Sequence, residues 1–490
     1  MRFLKSRIAR RALLLGGICL TVLASGETPA APDPAATELD AFILEAENQS
    51  PGILEARWKV EQALIRHQEL LEFLDPQLVA AAGYADHAKS VPGSTTYDST
   101  TNNAAEFRAG VEIPFEQGFY LAIGGAERLF QDGGDHGHYN QTLVGARLRI
   151  PLLKDRGFAL LGLDRALARA EYNAAVSALL RQTQLVRRDV TLAYIAAYES
   201  QMSYKVTVEA SERFRKLVGE ATELERLGVI PAYQIHDTRM DLQIGLENEE
   251  IARNKVELSL ISLATTLGNC RPIRLRHEND EEFIVGLASG VTPVTTVDLD
   301  RALQARGSYQ AIENTVEQAR VRILAAEEEM KDDLSLNVGV AWQAEDEHRP
   351  LGFHELSGDE REGAEVALVW KRSLDQRGPR ARKARYAAQV EQYRQQLRAE
   401  AVAIEAEIRN ALNNLTAAKA RLDIVRLGIE AAEKTLEAEL ERFKLGQTTS
   451  SVVTDAQKDL TSLKQRRTAA AADFLRAWAN LQYASGYTLR

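Results

Sequence analysis

After Pro379 no further proline occurs up to Arg490, and inside that stretch one apolar pattern runs unbroken. Leu397, Ala401, Ile404, Ile408, Ala411, Leu415, Ala418, Leu422, Val425, Ile429, Ala432 and Leu436 alternate in steps of four and three. That is a heptad seam, and its interleaved alanines let two helices approach closely. Pro379 to Leu445 is 67 residues, which as helix spans about 100 Å at 1.5 Å per residue. An ordinary globular core needs no helix of that length, whereas a rod that crosses a gap does. The seam ends at Phe443-Lys444-Leu445-Gly446, followed by Gln447-Thr448-Thr449-Ser450-Ser451. Glycine can take the left-handed cap, and the hydroxyl run supplies N-caps for a returning helix.

The first half of the chain repeats this plan. A second rod is expected from Gly157 to Leu227, ending at Arg226-Leu227-Gly228, with Pro231 suited to the first turn of the helix that returns. Val60-Glu61-Gln62-Ala63 recurs as Val316-Glu317-Gln318-Ala319, offset by 256. Leu153-Lys154-Asp155-Arg156-Gly157 resembles Leu374-Asp375-Gln376-Arg377-Gly378, offset by 221, so the first half carries 35 extra residues between Leu78 and Gly157. Two duplicated units follow: 27–270, with strands at about 77–151 and a long helical hairpin at about 157–268, and 299–490, with strands at about 334–371 and a hairpin at about 379–487. Between them, 271–298 reads as a connector containing Pro, Gly and Thr.

Four segments between the helices alternate with period two. They are Phe107 to Phe115, Val144 to Ile150, Leu334 to Trp342 and Ala364 to Lys371, with large apolar residues on one face and small or polar ones on the other. About nine to eleven such residues make a membrane-spanning strand. An ordinary sheet with one face on a core gives the same pattern. Two spanning strands per half make four, too few to close a barrel, and an open edge in lipid is not tolerated. Spanning strands would therefore require several copies of the chain to share one barrel. The 35 extra residues are expected to add a hairpin, Phe107 to Leu129.

Composition narrows the class. Of 490 residues 45% are apolar and 6% aromatic, and 60 basic residues face 70 acidic ones. The chain is not disordered, and its acidity argues against a nucleic-acid partner. No run of 18 or more apolar residues occurs, so no transmembrane helix is expected. Residues 1–26 read as a signal peptide: five basic residues, an apolar stretch from Ala12 to Ala24, then Ala24-Ser25-Gly26. Its removal leaves 55 basic residues against 70 acidic ones, a charge of -15, and takes away Cys19, whose surroundings fit a lipid-attachment signal poorly. Cys270 then stands alone, which excludes an intrachain disulfide.

Nothing in the sequence reads as an enzyme. There is no phosphate-binding loop ending in Lys-Ser or Lys-Thr and no convincing catalytic Ser/His/Asp or Cys/His set. Asp132-Gly133-Gly134-Asp135-His136-Gly137-His138 reads as a solvated turn rather than a metal site, and Glu327-Glu328-Glu329 as a solvated helix face. No cofactor or metal is expected.

From about Leu39 to Gly486 the sequence resembles the TolC-like outer-membrane efflux protein family. The resemblance rests on Arg442-Phe443-Lys444-Leu445-Gly446 through Val453-Thr454-Asp455-Ala456-Gln457, on Arg226-Leu227-Gly228 through Thr238-Arg239, and on Ile150-Pro151-Leu152-Leu153-Lys154-Asp155-Arg156-Gly157. It implies a mainly α fold with a transmembrane β part. Three copies would form a 12-stranded outer-membrane β-barrel, four strands from each, above a 12-helix periplasmic α-barrel. The function implied is a passive exit duct of a tripartite efflux or type I secretion system. The implied partners are a periplasmic adaptor, an inner-membrane transporter and outer-membrane lipid. A periplasmic coiled-coil adaptor or scaffold is the alternative, although an adaptor should carry one hairpin flanked by compact β domains.

The resemblance also assigns residues. Asp455 matches one aspartate of the family's periplasmic constriction, where the second matching position is Val452. Tyr233 and Gln234 are the pair in the first hairpin. A threefold ring of Asp455 would set cation preference, and Asp455 also suits a place in the first turns of a helix, beside its dipole. Leu227, Gly228, Leu445 and Gly446 fall at the hairpin tips that the family presents to its adaptor.

Overall fold

The computed structural model describes residues 38–90, 99–115, 117–132, 138–277, 283–291, 296–346 and 361–487. The signal peptide and the core of the Asp132–His138 run lie outside the described residues. In chain order the elements are α1 (Glu38–Gln49), α2 (Pro51–Glu69), a 3-10 turn (Glu72–Leu74), β1 (Gln77–Ser90), β2 (Ser99–Phe115), β3 (Phe119–Asp132), β4 (His138–Pro151), α3 (Ala159–Arg226), α4 (Tyr233–Thr266), α5 (Phe283–Gly290), α6 (Leu299–Ala305), α7 (Gly307–Glu329), β5 (Asp333–Asp346), β6 (Arg361–Lys371), α8 (Arg377–Lys444) and α9 (Ser450–Ala484). The two longest helices, α3 and α8, are each 68 residues. Among the described residues no helix is long and apolar enough to cross a membrane.

Two compact units divide the chain. One comprises residues up to Pro51, Leu185–Pro293 and Asn414–Ala479. Its core joins Leu217, Ala221 and Ile230 to Ile429, Leu436 and Phe443 of the heptad seam and to Val453 and Leu460. Seam residues thus meet the returning helix and the other hairpin, as their spacing requires. The same unit fixes the start of the described chain. Glu38 is buried, and its carboxylate accepts hydrogen bonds from Tyr194 (3.1 Å), Tyr198 (2.6 Å) and the Arg276 N–H (2.9 Å). Burial pushes both phenols above their ordinary range, which keeps them protonated as donors. Within the expected connector, α5 forms despite its two glycines because Ile284 and Ala288 are buried. Local propensity yields there to tertiary packing.

The other unit, Gly52–Gln184, Val294–Asn413 and Asn480–Arg490, contains the sheet. Six strands lie in the order β1-β2-β3-β4-β5-β6, each antiparallel to its neighbour. The expectation of four strands is therefore corrected to six. The extra chain of the first half forms the β2–β3 hairpin, 99–132, which is inserted between β1 and β4 rather than left outside the sheet. Its turn is held from two sides. Gly118 has φ +90° and donates its N–H to the Phe115 carbonyl at 2.8 Å. A Cβ there would lie 2.2 Å from the Gly157 Cα. Beside it, the rings of Phe73 and Tyr120 both pack edge-on against Phe158, at 5.2 and 5.0 Å.

The register sorts the side chains into two faces. Leu78, Val111, Ile123, Ala146, Val340 and Ala364 are consecutive cross-strand partners, and the next row runs Leu121, Leu148, Val338 and Val366. Aromatic residues mark both ends of these apolar rows, with Tyr84, Phe107 and Trp342 toward one end and Phe115, Phe119 and Trp370 toward the other. Among the described residues nothing covers this face: Leu78 is 79% exposed, Val366 74% and Leu368 65%. The opposite face carries small and charged residues, among them Gly110, Gly124, Gly145, Arg108, Arg147 and Arg149.

Where β4 leaves the sheet for α3, Glu328 corrects one expectation. It is 7% exposed rather than solvated, accepts the Asp155 N–H at 3.0 Å and pairs with Lys331. Asp155 has φ +56° and accepts the Leu160 N–H at 2.9 Å, capping α3. Gly118→Ala should lower the thermal unfolding midpoint, costing about 1–3 kcal/mol in backbone strain alone. Gly83→Ala, which meets nothing within 4 Å, should stay within about 0.5 kcal/mol. Equal melting of the two variants would contradict the packing of the turn on Gly157.

Candidate functional site

The two hairpin tips are built by one device used twice. At the end of α3, Gly228 has φ +72° and donates to the Glu225 carbonyl (2.8 Å) while Val229 donates to Leu224 (2.9 Å). At the end of α8, Gly446 has φ +71° and donates to Phe443 (2.9 Å), while Gln447 donates to Arg442 (2.8 Å). Both are Schellman closures, which satisfy helix-end carbonyls and turn the chain sharply. The bond pattern leaves the preceding leucine outside the packing: Leu227 is 64% and Leu445 69% exposed. The tips also touch each other, since a Cβ on Gly446 would meet Val229 Cγ1 at 2.9 Å. Phe443, completely buried one turn below, anchors the second tip in the core.

The four residues matched to the constriction do not share one environment. Asp455 is exposed on α9, and Val452 is 43% exposed one turn before it. Both line a groove on α8 and α9 together with Thr435, Glu439, Asp459 and Ser462. Tyr233 is 59% exposed at the start of α4. Gln234 is different: it is 5% exposed, and its side-chain oxygen accepts the Ser450 N–H at 3.2 Å. The first hairpin thereby caps α9, the returning helix of the second, which gives Gln234 an interior partner. Asp459 was not singled out in the sequence, yet it lies four residues beyond Asp455 on the same helix face. The i,i+4 spacing of two acids was the signal for it.

Ion pairs and a hydrogen bond stitch α9 to α4 and to α3. Lys458 meets Asp241 at 2.9 Å, Lys464 meets Glu209 at 2.9 Å, and Arg213 donates to Thr461 at 2.9 Å. One side of α4 remains outside this network. Met240, Ile244, Ile251, Leu258 and Ile261 are all exposed, at spacings of four, seven, seven and three. That is a second apolar seam, without a partner among the described residues.

On the polar face of the sheet, register brings opposite charges together. Arg128 lies 3.6 Å from Glu106, Arg147 3.7 Å from Glu365 and Arg149 3.8 Å from Asp333. These pairs are largely exposed, so each adds little to stability. Their effect is to give the face a mixed, hydrated surface. Among the described residues no cluster of His, Cys, Asp and Glu could hold a metal.

The closures can be tested directly. Gly446→Ala combines a left-handed φ with a collision at Val229, while Gly228→Ala meets only the strained φ, worth about 1–2 kcal/mol. Amide exchange at Gln447 should therefore accelerate more in the first variant than exchange at Val229 does in the second. The reverse order would contradict the contact between the tips.

Neither a protein-family model nor a curated protein sequence matches the chain. Solved structures match along nearly all of it. The outer membrane protein VceC from Vibrio cholerae is 15% identical with a TM-score of 0.65, over 91% of this chain and 96% of that one. The CmeC outer membrane channel of Campylobacter jejuni is 13% identical with a TM-score of 0.64, over 91% and 85%. The open state of the MtrE outer membrane channel of Neisseria gonorrhoeae is 15% identical with a TM-score of 0.60, over 91% and 88%. At these identities the likeness is one of fold. Its duplicated helical hairpins and antiparallel sheet give this chain the fold of the TolC-like outer-membrane channels.

Proposed function

We propose that this protein is the outer-membrane exit duct of a tripartite efflux or type I secretion assembly, without catalytic activity of its own. The observation that carries the reading is the uncovered apolar face of the sheet, backed by a polar face with paired charges. In water such a face would be an aggregation hazard, whereas in a bilayer it is the outer wall of a β-barrel. Glu127 lies on the apolar rows near the end away from the helices, and Thr142 donates to it at 2.6 Å. Charge is thus placed toward the headgroups, where it is tolerated best.

Three copies, each contributing two helix–strands–hairpin units, form the duct, with twelve helices in its periplasmic α-barrel. The exposed seam of α4 supports this, because its heptad spacing fits a helix of the neighbouring copy. The leucines and glycines of the tips, Leu227, Gly228, Leu445 and Gly446, meet a periplasmic adaptor, which joins the duct to an inner-membrane transporter. Asp455 narrows the mouth as a ring of negative charge, and Asp459 adds a second ring one turn away. Val452 and Tyr233 flank them, while Gln234 serves the closure as an internal cap. The protein resides in the outer membrane with a large periplasmic part. An adaptor or scaffold would have no use for an apolar sheet face open on this scale.

Membrane fractionation followed by unheated gel electrophoresis tests the reading. An outer-membrane oligomer near three times the subunit mass is expected, and a soluble monomer would overturn the duct. In planar bilayers, replacing both acids (Asp455→Asn with Asp459→Asn) should reduce cation preference more than either change alone. Unchanged selectivity would reduce both residues to helix-end partners.

A further inference from the structure

We infer that each copy contributes six strands to the outer-membrane barrel, so that the trimer closes a ring of 18. This rests on the reading of the chain as a three-copy duct and deepens it. The argument begins with the β2–β3 hairpin, which is a full member of the wall. It pairs with β1 from Gln77↔Glu112 to Ser90↔Ser99 and with β4 from Tyr120↔Arg149 to Gln131↔His138. Its base is locked to the strand–helix junction by Gly118 on Gly157 and by Tyr120 on Phe158.

Both faces of the sheet continue through the hairpin. Phe107, Val111, Ile113, Leu121 and Ile123 extend the apolar rows, while Arg108, Glu112 and Arg128 extend the polar side. A line of small residues runs through the hairpin as well. Gly110, Gly124 and Gly145 are cross-strand partners on the polar face. A Cβ on them would come within 2.9, 2.7 and 2.7 Å of a neighbouring strand's carbonyl oxygen. Small residues in a line across a sheet are where a barrel wall bends.

Two edges remain, the outer sides of β1 and β6. Six alternating strands leave β1 and β6 running in opposite directions. The β6 of one copy therefore meets the β1 of the next as another antiparallel pair, and three such seams close the ring. A barrel left open at these edges would strand backbone N–H and C=O groups in hydrocarbon. Because diameter grows about linearly with strand number, 18 strands give a barrel about half again as wide as 12.

Electron cryo-microscopy of the full chain in lipid nanodiscs should resolve 18 strands from three copies, with β2–β3 inside the ring. Twelve strands from three copies, with the hairpin outside, would overturn the inference. A ring of twelve from two copies would keep six strands per chain and overturn the trimer beneath it. Disulfide trapping gives an independent readout in a Cys270→Ser background. A cysteine at Ala80 combined with one at Ala364, Val366 or Leu368 should yield interchain bonds and a covalent trimer in at least one pairing. Ala80 with Ala146, which β2 and β3 hold two strands further apart, should stay unlinked. A bond between those two positions would mean that β1 pairs with β4 directly and would contradict the six-stranded wall.

Discussion

A backbone amide that faces hydrocarbon has no water to bond, so a sheet placed in a bilayer must have no free edge. This sheet has two, at β1 and β6, and its apolar face has no cover among the described residues. The same incompleteness recurs in the helices, where α4 presents an apolar seam that no described residue of the chain fills. A single copy leaves both demands unmet, and a ring of copies meets both at once. The proposed assembly is in this sense a consequence of hydrogen bonding and burial, with the solved channels supplying the fold in which that happens.

The helical hairpins solve a different problem, that of ending very long helices cleanly. Seam residues such as Ile404, Leu415 and Phe443 are fully or almost fully buried. The interleaved alanines Ala411 and Ala418 are buried with them, which keeps the packing thin. Each rod then stops at a glycine whose left-handed φ lets two N–H groups satisfy helix-end carbonyls. Gln234 links the two ends by capping the helix that follows the second tip. The tips are consequently tied to each other, while Leu227 and Leu445 stay outside the packing.

Much of this was legible in the sequence, because it rests on periodicity and on special residues. The seam from Leu397 to Leu436, the glycine stops at Gly228 and Gly446, and the period-two strands all report local geometry. The six-strand count was harder to read. Thirty-five extra residues could be located between Leu78 and Gly157, but pairing register is a long-range property that a single sequence does not display. The helix at Phe283–Gly290 was hidden by its glycines, since burial of Ile284 rather than propensity forms it. Glu328 was misjudged because polar residues on long helices usually face water, and here it has an interior partner in the Asp155 N–H; the burial of Gln234 against Ser450 was not visible for the same reason. Asp459 was within reach of the i,i+4 rule.

The central claim is that one face of the sheet meets lipid and the other water, and single-cysteine scanning along β5 tests it most directly. In the Cys270→Ser background, cysteines at Leu336, Val338 and Val340 should be quenched by a probe confined to the bilayer. Cysteines at Asn337, Gly339 and Ala341 should instead react with a water-soluble maleimide. Alternation with period two, in that phase, is the expected result. Equal access of the aqueous reagent to both sets would contradict the account, because it would mean that the apolar face of the sheet does not lie in a membrane.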